Sequence, residues 1–147
     1  MSVQVLILMG SKSDMPVMQK AADTLDEFGV SYEMLIRSAH RTPVETVEAV
    51  TEADKNGCQV FICGAGMAAH LAGVVAAHTV KPVIGVPLAS GALQGQDALL
   101  ATVMMPPGIP VATVAIGGAK NAAILAVQMI AAGNEKLSEA LRQARIA

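Results

Sequence analysis

Hydrophobic and polar positions alternate along the chain between two kinds of pattern. Short, nearly continuous apolar runs are typical of strands that are buried on both faces. Such runs predict strands at residues 3–9, 30–36, 58–63, 82–86 and 110–116. Between them, apolar residues recur at helical spacing, three and four positions apart. This second pattern predicts helices at residues 15–28, 42–56, 68–78, 96–104, 121–132 and 135–146.

The regular alternation of strand and helix indicates an α/β fold. Strands begin roughly every 25 residues, which is typical of βαβ units in a parallel sheet. We therefore predict one domain over residues 1–147, a three-layer, doubly wound parallel sheet with five core strands and a C-terminal helix from about residue 135. Five strands favour the flavodoxin-like order 2-1-3-4-5, in which ligands bind beyond the carboxyl ends of the strands.

Composition adds a prediction about association. The chain is 53% hydrophobic but only 15% charged, against roughly 25% charged residues in ordinary soluble domains. So little charge indicates that part of the surface is hidden in a homo-oligomer; a sheet buried on both faces beneath small helices is the alternative explanation. The net charge of −2 and the lack of a basic stripe argue against nucleic acid as a partner.

The uncharged stretches do not predict a membrane protein. Residues 56–80 and 98–119 lack Asp, Glu, Lys and Arg, but glycines interrupt the first stretch and prolines the second. Neither reads as one apolar helix long enough to cross a bilayer. No basic segment precedes the first apolar run, so we expect no signal peptide and a cytoplasmic location.

The sequence offers little material for a metal site. It contains three His, and its two cysteines, Cys58 and Cys63, are four residues apart across the third predicted strand. Side-chain alternation would point them to opposite faces, so we interpret them as core thiols rather than as a disulfide or metal ligands. Chemistry in this chain is expected to be acid–base and positional, with no metal and no cofactor.

The loop after the first strand contains Gly10, Ser11, Ser13 and Asp14. Glycine permits a tight turn, and the helix that follows offers free N–H groups to an anion such as phosphate. The serines could add hydroxyl donors, and Asp14 could accept hydrogen bonds from a ribose. A simple capped turn, with Ser13 or Asp14 as the N-cap, explains the loop equally well.

The loop after the second strand contains Ser38, Ala39, His40 and Arg41. Imidazole titrates near neutrality and can both take and return a proton. Arg41 can bind a phosphate with two parallel hydrogen bonds. The alternative is an exposed, solvated His-Arg pair. The next helix opens with Thr42-Pro43-Val44-Glu45, which predicts a capping box with proline at the first helical position.

The loop after the third strand contains Gly64, Ala65, Gly66, His70 and Leu71. Residues 64–69 match a G-x-G-x-x-A dinucleotide fingerprint weakly, because no acidic residue follows at the required distance. Close approach of the backbone to a small ligand is a simpler interpretation, with His70 in the first turn of the next helix. A partly buried structural histidine is the alternative for His70.

Taken in order, the three loops resemble the N5-carboxyaminoimidazole ribonucleotide mutase family, also described as the catalytic subunit of class I phosphoribosylaminoimidazole carboxylase. Each short motif is moderately specific, but the ordered set runs through almost the whole chain. The matching segments are Gly10-Ser-Lys-Ser-Asp14, Ser38-Ala-His-Arg-Thr-Pro43, Gly64-Ala-Gly66 with Ala68-Ala-His-Leu71, Gly85-Val-Pro87, Leu93-x-Gly-x-Asp97, Gly108-Ile-Pro-Val111 and Asn121-Ala-Ala123.

The resemblance implies a homo-octamer with active sites at subunit boundaries. It also implies a phosphoribosyl aminoimidazole substrate that carries a carbamate on its exocyclic nitrogen. Ser11, Ser13, Ser38 and Arg41 would then hold phosphate and ribose, and Asp14 the ribose. Residues 64–71 would enclose the base and the carboxylate, with His70 orienting the carboxylate.

The implied chemistry is decarboxylation of the carbamate followed by recarboxylation on the imidazole carbon. His40 would remove the ring proton and also supply the proton that releases CO2. No ATP, metal or organic cofactor is needed.

Two alternatives of different kinds stand beside this interpretation. In family members, Gly usually stands at the position of Met67 and Pro at that of Ala72, Arg or Gly is common at Pro107, and the connection at residues 117–121 is longer. The short connection resembles that of a related branch of enzymes, which carboxylates aminoimidazole ribonucleotide directly with CO2. A non-catalytic flavodoxin-like module is more remote, because a receiver domain needs Asp where Gly64 stands and a flavin carrier needs more aromatic residues.

Overall fold

The computed structural model describes residues 2–146 and contains one parallel sheet. The strands are β1 (Val5–Met9), β2 (Tyr32–Ile36), β3 (Val60–Gly66), β4 (Val83–Leu88) and β5 (Ala112–Thr113). Their order in the sheet is β2-β1-β3-β4-β5, which confirms the predicted doubly wound, flavodoxin-like α/β fold. Parallel pairing aligns Met9 with Gly64, so the loops after the first three strands leave the same edge of the sheet. The single domain over residues 1–147 stays a prediction, since its two end residues lie outside the described range.

Helices cover both faces of the sheet and complete the three layers. They are α1 (Met15–Glu27), α2 (Pro43–Lys55), α3 (Leu71–Ala77), α4 (Gln96–Val103), α5 (Ala119–Ala131) and α6 (Glu135–Ile146). Successive side chains of a strand point to opposite faces. Ile7 accordingly packs into one apolar cluster with helices α1 and α5, and Leu8 into another with α2 and α3. Among the described residues, no helix combines the length and the apolarity that a bilayer crossing requires.

The fifth strand is much shorter than predicted, two residues instead of seven. Beyond it the chain still follows β4, because the N–H of Val114 donates to the carbonyl of Gly85 and that of Gly117 to the carbonyl of Pro87. Pro87 has no N–H to donate in return, so a regular ladder cannot continue there. The edge strand therefore ends early.

The third strand is longer than predicted and takes up the start of the glycine-rich segment. Gly64, Ala65 and Gly66 pair with Val86, Pro87 and Leu88 of β4. The prediction that Gly64 to Gly66 form a loop is wrong, because pairing with a neighbouring strand outweighs the low strand propensity of glycine. Helix α3 begins later than predicted, and His70 is its N-cap rather than part of its first turn.

Two further local predictions are wrong. Thr42 makes no side-chain cap to its helix; its hydroxyl accepts from the N–H of Ser38 at 2.8 Å and donates to the Ser38 carbonyl at 3.1 Å. Cys58 precedes β3 rather than lying within it, so strand alternation does not apply, and both cysteines join the same apolar cluster. They are free thiols, and burial raises the pKa of each.

Candidate active site

A cleft of about 430 Å³ opens at the carboxyl ends of the first four strands. It brings together twelve of the thirteen residues singled out from the sequence. The lining residues are Gly10, Ser11, Ser13, Asp14, Ser38, Ala39, His40, Arg41, Ala65, Gly66, Met67, Ala68, His70, Leu71 and Ser90.

The loop after β1 forms a closed hydrogen-bonded turn on one side of the cleft. Ser11 caps the short 3-10 turn Lys12–Asp14: its hydroxyl accepts from the N–H of Ser13, and the Asp14 carboxylate accepts from the N–H of Ser11 at 3.1 Å. This reciprocal arrangement is a capping box. The turn is capped as predicted, but the prediction that Ser13 or Asp14 makes the side-chain cap is wrong. Ser11 makes it, and Asp14 occupies the N-cap position of α1 without a side-chain cap. All three side chains line the cleft.

Opposing effects act on the pKa of the Asp14 carboxyl. Burial raises the pKa of its carboxyl above the ordinary 3.8, whereas the Ser11 N–H and the positive charge of Arg41 act in the opposite direction. Burial is the largest of these effects, because removing a carboxylate from water disfavours its charged form.

The loop after β2 folds into a compact turn that points His40 and Arg41 into the cleft. The Ser38 hydroxyl accepts from the N–H of Arg41 at 3.0 Å, and the Thr42 N–H donates to the Ser38 carbonyl at 2.9 Å. The guanidinium of Arg41 reaches across to the Gly10 carbonyl at 3.4 Å. The two loops therefore meet, which places a fixed positive charge beside the serine hydroxyls.

His40 and His70 face each other across the cleft. Nε2 of His40 lies 2.7 Å from Nδ1 of His70, and the two rings are nearly perpendicular. Both side chains are exposed to the cleft. The third histidine, His78, takes no part, since its Nδ1–H donates to the Val74 carbonyl at the other end of α3.

Gly64 is the one predicted site residue that does not line the cleft. A Cβ at this position would lie 2.4 Å from Sδ of Met18, which is buried in α1. Glycine at position 64 therefore lets α1 pack closely against β3. The role of Gly64 in this chain is structural, because the packing of Met18 against it accounts for the glycine and no ligand is needed to explain it.

Three lining residues were missed by the sequence reasoning, namely Met67, Ala68 and Ser90. Ala68 lies inside a segment already singled out but carries no polar group. Met67 stands where the family resemblance led us to expect glycine, and its φ of 50° is in the left-handed region that favours glycine. Ser90 follows β4, whose pairing with β3 brings that loop beside the other three.

The arrangement combines an anion-binding side with an acid–base side. Serine hydroxyls and Arg41 can hold a phosphate, and the two imidazoles can exchange protons with a ligand between the loops. Within residues 2–146, no group of three or more His, Cys, Asp or Glu side chains is placed to hold a metal ion.

Comparison with known proteins identifies the family of the chain. The profile of the AIR carboxylase family matches residues 4–147. The chain is 56% identical over 137 residues to the N5-carboxyaminoimidazole ribonucleotide mutase of Pyrococcus horikoshii, covering 93% of this chain and 77% of that one. With the mutase of Brucella melitensis it shares 52% identity over 147 residues, or 99% and 91% of the two chains. A crystal structure of PurE from Treponema denticola is similar with a TM-score of 0.88 and 32% identity, covering 96% and 88%. The chain therefore belongs to the AIR carboxylase family.

Proposed function

We propose that this chain is an isomerase of de novo purine biosynthesis that converts N5-carboxyaminoimidazole ribonucleotide to 4-carboxy-5-aminoimidazole ribonucleotide. The observation that carries the proposal is the pair of facing histidines beside an Arg-Ser anion site in one cleft. Relatives that are more than half identical over most of this chain bear the name of this mutase.

The substrate is oriented by its phosphate. Arg41 supplies a fixed charge, and Ser11, Ser13 and Ser38 supply hydroxyl donors, so the phosphoribosyl end lies between the first two loops. Asp14 then accepts from the ribose. The aminoimidazole ring extends toward His40 and His70, and Ala65, Gly66 and Leu71 form the wall beside it.

His40 acts as the acid and the base of the reaction. It protonates the exocyclic nitrogen as the carbamate C–N bond breaks and CO2 leaves. The imidazole carbon attacks the retained CO2, and His40 removes the proton from that carbon to restore aromaticity. Holding CO2 beside the carbon makes recombination effectively unimolecular, which is worth up to about 7–11 kcal/mol in well-oriented systems.

The direct test is conversion of the N5-carboxylated substrate without ATP or added bicarbonate. We expect rapid formation of the C4-carboxylated product by the wild-type protein. The His40→Asn variant should lose turnover, by at least about 10²-fold, and still bind the product. Near-normal turnover in that variant would remove His40 from the mechanism. Failure of the wild type, with carboxylation of aminoimidazole ribonucleotide when CO2 is supplied, would instead identify a direct carboxylase.

The proposal includes a homo-octamer located in the cytoplasm. Helix α4 supports association, because it buries the small residues Ala98 and Thr102 and exposes Leu100 and Val103, and its C-cap residue Met104 is exposed as well. The three exposed residues lie at positions i, i+3 and i+4 and so share one helix face. An apolar helix face directed outward is typical of a surface that another copy of the chain covers.

A further inference from the structure

The loop after β4 brings one hydroxyl into the cleft. Ser90 lies two residues beyond the end of the strand, and its exposed side chain lines the cleft. The other serines of the cleft use their hydroxyls within their own turns: those of Ser11 and Ser13 lie 3.0 Å apart, and that of Ser38 accepts from a backbone N–H. Among residues 2–146, the Ser90 hydroxyl has no such partner, so it is available to a ligand.

Close packing on both sides fixes the place of Ser90. A Cβ at Gly66 would lie 3.0 Å from Cβ of Ser90 and 3.4 Å from the carbonyl oxygen of Leu88, so glycine at position 66 lets this loop approach β3. On the other side, a Cβ at Gly91 would lie 3.2 Å from Sδ of Met67. Gly91 has a φ of 69°, which turns the chain directly after Ser90 at little steric cost. The hydroxyl is therefore presented by a packed turn.

The order of the strands determines which end of a ligand meets Ser90. The loops after β2 and β1 lie at one end of the cleft, and those after β3 and β4 at the other. With the phosphoribosyl end between the first two loops, the imidazole base points toward the loops after β3 and β4. Among the described residues, these two loops contribute two polar side chains to the lining, His70 and Ser90, and are otherwise apolar or glycine there.

From this placement we infer that Ser90 is a specificity-determining residue that binds the carboxyl group of the ligand, an inference that rests on the proposed function. Its O–H donates to a carboxylate oxygen, of the carbamate before the reaction and of the C4-carboxylate after it. A carboxylate moved from water to an apolar wall needs donors that replace the lost water. A serine hydroxyl can donate throughout the neutral pH range, and a charged acceptor makes the bond stronger.

Such a contact affects binding more than rate. The exocyclic nitrogen and the ring carbon that exchange the carboxyl group are on adjacent ring positions, so one hydroxyl serves both charged forms. Between them the group is neutral CO2, which accepts a hydrogen bond only weakly. No proton passes through Ser90, and no covalent bond to it forms. Loss of the hydroxyl therefore weakens the binding of substrate and product alike, with little fall in kcat.

Binding is measured first, because it needs no turnover. The C4-carboxylated product and aminoimidazole ribonucleotide, which lacks the carboxyl group, are titrated calorimetrically into His40→Asn and His40→Asn/Ser90→Ala, so that the product is not consumed. We expect Ser90→Ala to raise the Kd of the product about tenfold, the loss of one hydrogen bond to a charged group, and to leave the Kd of aminoimidazole ribonucleotide within about twofold. Ser13→Ala, at the phosphate end, is the control and should weaken both ligands by a similar factor.

Kinetics with His40 intact provides the second readout. Ser90→Ala should raise KM for the carbamate about tenfold and keep kcat within about threefold of the wild type. A merely structural role for Ser90 would instead weaken both ligands and lower kcat together. Ser90→Cys keeps the size of the side chain but donates weakly, so it should show the same selective loss as Ser90→Ala.

An equal change for the two ligands, or an unchanged Kd for the product, would overturn the role of Ser90. Failure of the proposed function gives a different result, since the wild type would then not convert the carbamate. The two titrations still decide the carboxyl contact in that case, because neither requires the reaction. If neither ligand binds even with Ser90 intact, the inference is wrong as well.

Discussion

At the scale of single residues, Asp14 shows how one side chain serves both fold and site. Its carboxylate closes the capping box with Ser11 and also lines the cleft near Arg41. Burial in this position is unfavourable to the charged form. The same side chain therefore weakens the folded state at neutral pH while it lines the cleft.

Replacing Asp14 with Asn should remove one contribution that lowers stability as pH rises. Because the folded protein holds the Asp14 proton more tightly than the unfolded chain does, the wild type loses stability as pH rises from the ordinary pKa of 3.8 through the raised value. Asparagine does not titrate and can still accept from the Ser11 N–H. We expect the free energy of unfolding of Asp14→Asn, minus that of the wild type, to increase from pH 4 to pH 7 in urea denaturation.

The matched control is Asp23→Asn, which changes an exposed carboxylate on α1. That variant should show no comparable trend with pH. A constant difference between Asp14→Asn and the wild type at every pH would contradict the assigned effect of burial.

The cleft could largely be predicted from the sequence because its polar residues follow directly after strands. Loops after parallel strands meet at one edge, so spacing alone brought Ser11, Ser38, His40 and His70 together. Ser90 could not be found this way, since a lone serine three residues after a proline carries no signal. The contact of His40 with His70 was also beyond reach, because ring orientation depends on the detailed turn at Ser38.

At the scale of elements, the packing of α4 on β4 depends on a missing side chain. A Cβ at Gly85 would lie 2.3 Å from Cγ2 of Thr102 and 3.1 Å from Cγ1 of Val111. Thr102 is buried, and its hydroxyl donates to the Ala98 carbonyl at 2.7 Å. Its methyl group therefore has little freedom to move away.

Gly85→Ala should destabilise the protein by about 1–3 kcal/mol through overpacking. Thr102→Ser removes the obstructing methyl and keeps the hydroxyl, so it should cost about 0.5–1.5 kcal/mol alone. The double variant Gly85→Ala/Thr102→Ser should be more stable than the sum of the two changes implies, which urea denaturation of all four proteins measures as a coupling energy. Simple additivity would show that the methyl group added at position 85 is accommodated elsewhere.

The elements themselves were predictable where the apolar pattern was long, and less so where backbone pairing decided. The strand at residues 58–63 was found, but its predicted end came too early, because Gly64 and Gly66 belong to the strand only through their pairing with β4. The last strand was predicted too long, because Pro87 of β4 has no N–H to donate to the β5 segment. The effect of this proline therefore falls on the paired segment and cannot be read from the sequence of that segment. Pairing partners are a tertiary property that local spacing does not report.

At the scale of the whole molecule, the two ends of the sheet differ in character. The cleft lies at the carboxyl ends of β2, β1, β3 and β4, where the polar loops gather. The β5 edge carries α4 with Leu100, Val103 and Met104 exposed by 60%, 44% and 76%. Low charge predicts association from composition, but it does not indicate which surface would take part. The apolar face of α4 was unexpected, because this helix buries small residues and exposes large ones.

Leu100→Glu should weaken the proposed assembly, since a carboxylate placed in an apolar contact must be desolvated without a partner. Sedimentation velocity should show a species smaller than the wild type at the same concentration. Val80→Glu is the control, as Val80 is 97% exposed in a loop remote in sequence from α4. An unchanged sedimentation coefficient in Leu100→Glu would exclude this face from the contact.

The outward apolar face of α4 affects how stable a newly synthesised chain is before it meets another copy. A copy that has folded but has met no other exposes this face to every protein around it. If the face is covered only by other copies of the chain, thermal stability depends on the concentration of the protein, because subunits that bind one another stabilise the folded state by mass action. Tenfold dilution then lowers the midpoint of thermal unfolding. In a cell that makes less of this protein, the amount of folded protein falls by a larger factor than the amount synthesised.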